Sequence, residues 1–155
     1  MITRTETFPP AGKGLHWVLW VVQVLLAAAF IMSGFGKVTQ SMAELHATMP
    51  WSAEVPLGLV RFIGVAELLG GIGLILPAAT RIQPWLTGYA AVGLLLVMVL
   101  AAGFHASRGE YRFIGINAIL GGLAAFVAWG RLSSAPIAPR IDSETTIHPG
   151  QPRGV

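Results

Sequence analysis

Two opposite charges interrupt a strongly apolar stretch of the sequence, RFIGVAELLGG at positions 61–71. On a helix, Arg61 and Glu67 would be about 120° apart around the axis and roughly 9 Å apart along it, so they cannot pair with each other. A charged side chain inside a membrane costs on the order of 3 kcal/mol and marks a functional site by default. Glu67 is therefore a candidate catalytic residue whose partner must come from another helix.

Other polar residues of the apolar segments converge on the same half of a four-helix arrangement. If successive helices alternate in direction, the first and third end beside the point where the second and fourth begin. Lys37 and His105, the other candidate catalytic residues, then lie at the end where Arg61 opens its helix. Glu67 would lie roughly 15 Å along that helix, near the bilayer centre. The candidate ligand-binding residues of this half are Ser33, Arg61, Arg108 and Asn117.

These residue types could bind a ring and exchange protons. Lys37 and His105 could hydrogen-bond ring carbonyls, and Glu67 could relay a proton. Each residue also has a structural interpretation, which stays open. Glu67 could be a protonated or paired structural acid, Lys37 and Arg108 could anchor helix ends at the headgroups, and Asn117 could be an interhelical hydrogen bond.

The composition is that of a membrane protein. The chain has 155 residues, of which 54% are hydrophobic and 11% charged, whereas a soluble domain is about 25% charged. The net charge of +3 comes from ten basic residues spread over termini and loops. Without a basic stripe, they argue against nucleic acid as a partner. The absence of cysteine excludes disulfides, thiolate ligands and a thiol relay within the chain.

Four apolar segments are long enough to approach or reach the roughly 20 residues that span a bilayer. They lie at residues 15–35, 56–76, 84–105 and 113–129. They predict an all-α, integral membrane four-helix up-down bundle over residues 15–131. Residues 1–14 are predicted to be flexible, and the Pro- and Ser-rich residues 132–155 to be a disordered tail. Pro77 is expected to follow the second helix, and PAATRIQP to form a tight hairpin.

Two further features concern the surfaces of the bundle. In the connection 36–55, Met42, Leu45 and Met49 have helical spacing, which favours a short interfacial helix, although an ordinary loop stays open. Gln23, in the opposite half, is interpreted as an interhelical hydrogen bond. The five tryptophans fall near helix ends and are typical of an interface belt. They are Trp17, Trp20, Trp51, Trp85 and Trp129.

The distribution of Lys and Arg near the helix ends predicts the orientation. It favours a multi-pass protein of the inner (plasma) membrane with both termini in the cytoplasm and the 36–55 connection outside. A cleaved signal peptide is disfavoured, because the apolar run continues past residues 27–29 to residue 35. Walker, GxSxG, HExxH and CxxC motifs are absent. No metal site is predicted, and the four histidines are too dispersed to predict a haem.

Three segments carry a family resemblance: FIMSGFGK, RFIGVAELLGGIGLILPAATRIQPWLT and FHASRGE. In this order and spacing they resemble the DoxX-like family of small bacterial membrane proteins, over roughly residues 18–131. The resemblance implies a four-helix protein, and some relatives are linked to thiosulfate–quinone oxidoreductase or to other membrane-associated oxidoreductases. The positions that it implies as matching are Lys37, Arg61, Glu67 and His105. It does not imply that this chain oxidises thiosulfate.

Two function classes follow. In the first, the protein is the membrane subunit or partner of a quinone-linked oxidoreductase system and binds a quinone, or a similar lipid-soluble molecule, without a covalent bond. In the second, it is a non-catalytic assembly factor, or a carrier of an apolar molecule. The expected partners are the bilayer, the small molecule, a soluble oxidoreductase subunit and a second copy of the chain. Whether the chain is itself an enzyme stays open.

Overall fold

The computed structural model describes residues 12–140 and confirms an all-α four-helix bundle. The long helices are α1 (Lys13–Thr39), α3 (Leu57–Thr80), α4 (Leu86–Ser107) and α5 (Tyr111–Trp129), and α5 continues into a π-helical turn, Gly130–Ser134. Each of the four is long and apolar enough to cross a membrane. Within residues 12–140 there is no β-strand.

Glycines let α1 and α3 approach closely. A Cβ atom added to Gly34 would lie 2.5 Å from the carbonyl oxygen of Gly64, and one added to Gly64 would lie 2.7 Å from the Cβ of Lys37. Further along, a Cβ on Gly71 would meet Ile31 at 2.7 Å. Small residues in membrane helices allow such close approach of the backbones. The resulting van der Waals contacts stabilise the bundle, because lipid provides no hydrophobic driving force for helix association. The close contact holds Lys37 on α1 beside the polar face of α3.

The core of the bundle is aliphatic apart from one phenylalanine. Leu26, Phe30, Leu74 and Leu94 are fully buried, together with Val127 on α5. Large apolar residues on the opposite faces of the helices are exposed, as expected for surfaces that contact lipid. The bundle therefore has an apolar core and an apolar exterior.

A cluster of polar side chains, Gln23, Arg131 and His16, lies at the end of the bundle opposite to Lys37. Gln23 donates to the carbonyl of Leu74 at 2.7 Å and accepts from Nε of Arg131 at 2.5 Å. Arg131 also approaches His16 and lies over the Trp20 ring. The interpretation of Gln23 as an interhelical hydrogen bond is confirmed, and it joins α1 to α3 and to the turn after α5.

The expected end of the second span is wrong. Pro77 lies inside α3, which continues to Thr80, and the left-handed backbone of Arg81 (φ 60°) ends the helix. Proline removes one N–H from a helix, and membrane helices tolerate this when neighbours restore the packing. The hairpin before α4 therefore occupies only residues 81–85.

The connection between α1 and α3 is helical, as one of the two alternatives predicted. It contains α2 (Met42–Thr48) and a 3₁₀ turn, Pro50–Glu54. Ser41 and Glu44 form a reciprocal capping box at the start of α2. Leu45 of α2 is fully buried, whereas Met42 is exposed. We refer to residues 49–55 as the cover.

The α1–α3 contact gives a first prediction. Gly34→Ala should lower the free energy of unfolding by about 1–3 kcal/mol, because its methyl would overlap a backbone oxygen that cannot rotate away. Gly36→Ala is the matched control, since a Cβ there meets only the Gln40 side chain at ordinary contact distance. Thermal unfolding in detergent measures both. Equal melting temperatures for the two variants would contradict the close packing.

Candidate functional site

A cavity of about 460 Å³ lies between the four long helices, at the end where the cover connects α1 and α3. Most of its wall is aliphatic or aromatic. The polar residues that line it come from all four helices and are Ser33, Lys37, Glu67, His105 and Asn117. The structure thus places the three candidate catalytic residues, and two of the four candidate ligand-binding residues, in one cavity wall.

Lys37 and Glu67 form a buried ion pair across the α1–α3 contact. The Nζ atom of Lys37 lies 2.7 Å and 3.0 Å from the two carboxylate oxygens, and 2.5 Å from Oγ of Ser33. The side chains are only 7% and 4% exposed. In so apolar a setting each charge is tolerated because of the other, since an isolated charge would be costly.

Arg61 lies outside the cavity wall and holds the end of α1. Its guanidinium donates to the backbone carbonyls of Lys37 at 2.5 Å and Gln40 at 2.7 Å. These carbonyls belong to the last turn of α1, which lacks intrahelical donors and carries the negative end of the helix dipole. Arg61 therefore fixes the backbone that carries Lys37 and does not itself line the cavity.

His105 is oriented by a carboxylate. Its Nδ1 lies 2.6 Å from Oε2 of Glu110, and its ring stacks on Phe113 with the centroids 4.8 Å apart. The Trp51 ring contacts the imidazole edge-on. A carboxylate on one ring nitrogen leaves the other, Nε2, as the atom that can serve a ligand.

Arg108 also lies outside the cavity wall. It pairs with Glu110 in the α4–α5 turn and with Glu54 in the cover. Hydrogen bonds from Arg108 lower the pKa of both carboxyls, and the same bonds raise the pKa of Arg108. The bridge fastens the cover to the α4–α5 turn beside His105, so Arg108 stabilises the site from outside the cavity.

Asn117 carries an unused hydrogen-bond donor into this region. The residue is buried, and its Nδ2 has no hydrogen-bond partner among residues 12–140. A buried donor without an acceptor costs about 1–3 kcal/mol, so such atoms call for a specific explanation. An acceptor on a bound molecule would supply one.

Sequence reasoning missed three residues of this site. Glu54 and Glu110 lie in connections, where a charged residue carries no special signal. The turn at Gly109, whose φ is +70°, brings Glu110 back towards His105. The interpretation of Trp51 as interface belt is incomplete, because Trp51 also lines the cavity and contacts His105. Its position in a non-membrane segment next to Pro50 was the available clue.

The comparisons with known proteins agree with this architecture. The model of the DoxX-like family matches residues 21–127. The chain belongs to the DoxX-like family. The match contains every polar residue of the cavity wall, and with the four apolar spans it establishes a multi-pass integral membrane protein. No curated protein and no solved structure matches the chain. Among residues 12–140, no cluster of three or more His, Asp or Glu side chains could hold a metal ion.

The ion pair gives a second prediction. Lys37→Met should lower the free energy of unfolding by about 3–5 kcal/mol, because it leaves the Glu67 carboxylate buried without a cation. The double variant Lys37→Met/Glu67→Leu should recover most of that loss. Lys13→Met, at an exposed lysine of the same helix, is the control and should change little. A double variant as unstable as Lys37→Met would show that the destabilisation does not come from an unpaired Glu67 carboxylate.

Acid should loosen the cover. Because the folded pKa values of Glu54 and Glu110 lie below the ordinary 4.5, their ion pairs stabilise the cover above that pH and are lost as the pH falls through the folded values. In a variant whose sole tryptophan is Trp51, emission should shift to the red as the pH is lowered below about 4.5. Arg108→Gln should show the shift at neutral pH.

Glu44 provides the control for this experiment, because its pKa is also lowered, by its capping box with Ser41. The acid shift should persist in Glu44→Gln. Unchanged emission at low pH, or a shift that disappears with Glu44→Gln, would contradict the role of the Arg108 bridge.

Proposed function

We propose that this protein binds a lipid-soluble small molecule in the cavity and acts as the membrane subunit or partner of a quinone-linked oxidoreductase system. One observation carries the proposal. A largely apolar cavity of about 460 Å³ has its polar residues, drawn from four helices, in one half of the bundle. Ligand sites typically have this form, an apolar wall with a few convergent polar groups that fix orientation.

The hydrogen-bonding capacity of the wall favours a ligand with a carbonyl or similar acceptor. The amide of Asn117 has a donor without a partner, and Nε2 of His105 is the imidazole nitrogen that Glu110 does not bind. The ammonium of Lys37 has three protons, which Ser33 and Glu67 already accept. We therefore assign the first contact with a ring carbonyl to Asn117. Nε2 of His105 accepts while Nδ1–H donates to Glu110, so it suits a ring hydroxyl, and Lys37 is kept as the counter-charge that holds Glu67.

Aromatic side chains support a planar head group. Trp51, Phe104 and Phe113 line the cavity together with His105. Flat rings pack against such walls in stacked or edge-on arrangements. A quinone ring combines this shape with the acceptor that Asn117 requires, and Glu67 could exchange a proton with the bound molecule. In the proposed system a soluble oxidoreductase supplies the electrons that reduce the ring, and this chain supplies the binding site.

For the orientation, we propose that both termini are cytoplasmic, in the inner membrane, and that the cover faces outward. The basic residues at the cover end would then break the usual sorting rule. The contacts explain why they are there. Lys37 neutralises Glu67, Arg61 caps α1 and Arg108 fastens the cover. A reporter fused after Arg131 that is active only in the periplasm would overturn this orientation.

The binding proposal is tested by native mass spectrometry of gently solubilised protein, supplied with a benzoquinone that carries a decyl tail. The wild type should retain the quinone, and Asn117→Leu should weaken retention about fivefold to tenfold through one lost hydrogen bond. Thr87→Val is the matched control. It also removes a buried, unpartnered polar atom, but outside the cavity wall.

The outcomes separate the two function classes. Loss of retention in Asn117→Leu alone, together with a co-purifying soluble oxidoreductase, supports the proposal. Retention of a redox-inactive apolar molecule in place of the quinone would replace it with a carrier function. If the wild type retains no quinone at any concentration, binding in this cavity is wrong.

A further inference from the structure

The contact between α3 and α4 is closed in one half of the bundle and open in the other. In the half away from the cover, a Cβ on Gly73 would lie 2.8 Å from that of Ala90, and one on Gly70 would lie 2.5 Å from Leu94. In the half beside the cover, larger side chains stand on both helices and the cavity lies between them. We call this contact the α3–α4 seam. It is open at the level of the polar residues that line the cavity.

Residues of this seam face the cavity and the exterior at once. Phe62 on α3 and Leu100 on α4 both line the cavity, yet they are 69% and 65% exposed. Leu59, one turn from Phe62, is also both lining and exposed. A side chain that touches the cavity and the surface marks the rim of an opening, and this rim is wholly apolar.

The rim lies at the depth of the lipid tails. Leu100 precedes the end of α4 by seven residues, and Phe62 follows the start of α3 by five. At 1.5 Å per residue, the opening is roughly 7–10 Å inside the ends of the helices. Since the hydrocarbon core is about 30 Å thick, this level belongs to one leaflet and not to the aqueous phase.

The aqueous side of the cavity is covered. Met49, Trp51 and Val55 of the cover line the cavity from that side. Ser52 is buried, and Arg108 ties Glu54 to the α4–α5 turn. A water-soluble molecule would have to displace this fastened segment, whereas a molecule dissolved in the bilayer meets an open rim.

We infer that the ligand is a single-tailed amphiphile that enters sideways from the bilayer between α3 and α4. Its polar ring lies against Asn117 and His105, and its apolar tail leaves past Phe62 and Leu100 into the lipid. The inference rests on the proposed function and specifies its ligand. A cavity of about 460 Å³ is three times the roughly 150 Å³ that holds benzene. It has room for a substituted ring and the first part of a chain, and the open rim removes any limit on tail length.

The seam between α1 and α5 is the rival route. Ala29 and Ile116 line the cavity there and are also exposed. We assign the tail to the α3–α4 seam because large side chains from both helices form its rim, whereas α1 contributes only the methyl group of Ala29. The experiment below distinguishes the two routes.

The test uses the full chain in phosphatidylcholine vesicles, with Trp51 as its sole tryptophan and the decyl benzoquinone as a quencher. Ala101→Phe narrows the α3–α4 seam from the cavity side. Val99→Phe, on the lipid-facing surface of the same helix and outside the cavity wall, is the matched control. We expect quenching of Trp51 to become at least tenfold slower in Ala101→Phe and to stay at the wild-type rate in Val99→Phe. Ala29→Phe tests the other seam.

A photolabel identifies the path of the tail. A benzoquinone with a diazirine at the end of its decyl tail should label peptides that contain Phe62 or Leu100. Labelling at Ile116, or slower quenching in Ala29→Phe but not in Ala101→Phe, overturns the α3–α4 route. An equal rate for the decyl quinone and a tail-less benzoquinone, once corrected for partition, overturns the amphiphile. These results would leave the proposed function intact, because that proposal fails on the loss of quinone retention and not on the route of entry.

Discussion

The buried Lys37–Glu67 pair is the interaction on which the rest of the structure depends. Two opposite charges in an apolar bundle are stable only together, and they must come from helices whose backbones are almost in contact. The glycines at 34 and 64 allow that contact, and Arg61 holds the turn that carries Lys37. The ion pair, the two glycines and the Arg61 contact therefore depend on one another. Removing any of them would lower the free energy of unfolding, because a buried charge would lose its partner or the backbone that positions it.

One half of the bundle contributes mainly to stability, and the other half contains the candidate binding site. One half is closed by small residues and by the Gln23–Arg131 cluster, and it contains no residue of the cavity's polar wall. The other half keeps space between its helices, and the polar groups of the wall hold one another in place. His105 is positioned by Glu110 and Phe113, and Nδ2 of Asn117 has no acceptor among residues 12–140. Such a division lets the binding half stay partly open without loss of the fold.

The placement of Glu67, Lys37 and His105 could be predicted because hydropathy and the alternating direction of the helices show at which end of the bundle each helix begins and ends. The roles of Arg61 and Arg108 could not. Arg61 binds backbone carbonyls, whose positions no residue type encodes, and Arg108 binds acids that lie 54 and two residues away in connections. The place of Trp51 in the cavity wall could not be predicted for the same reason, since the path of the cover depends on tertiary contacts. The end of the second span was predicted at residue 76 because proline usually ends the helices of soluble proteins. Membrane helices tolerate it, and α3 continues past Pro77.

The Gln23–Arg131 bond has a consequence for the order of assembly during synthesis. Its two partners are separated by 108 positions, so α1 enters the membrane long before Arg131 leaves the ribosome. Until then the Gln23 amide can reach Leu74 but its carbonyl oxygen lacks the guanidinium. Final closure of the bundle is therefore a late event that waits for the last turn of α5. A chain stalled before that point would present an unfinished polar seam to quality-control proteases.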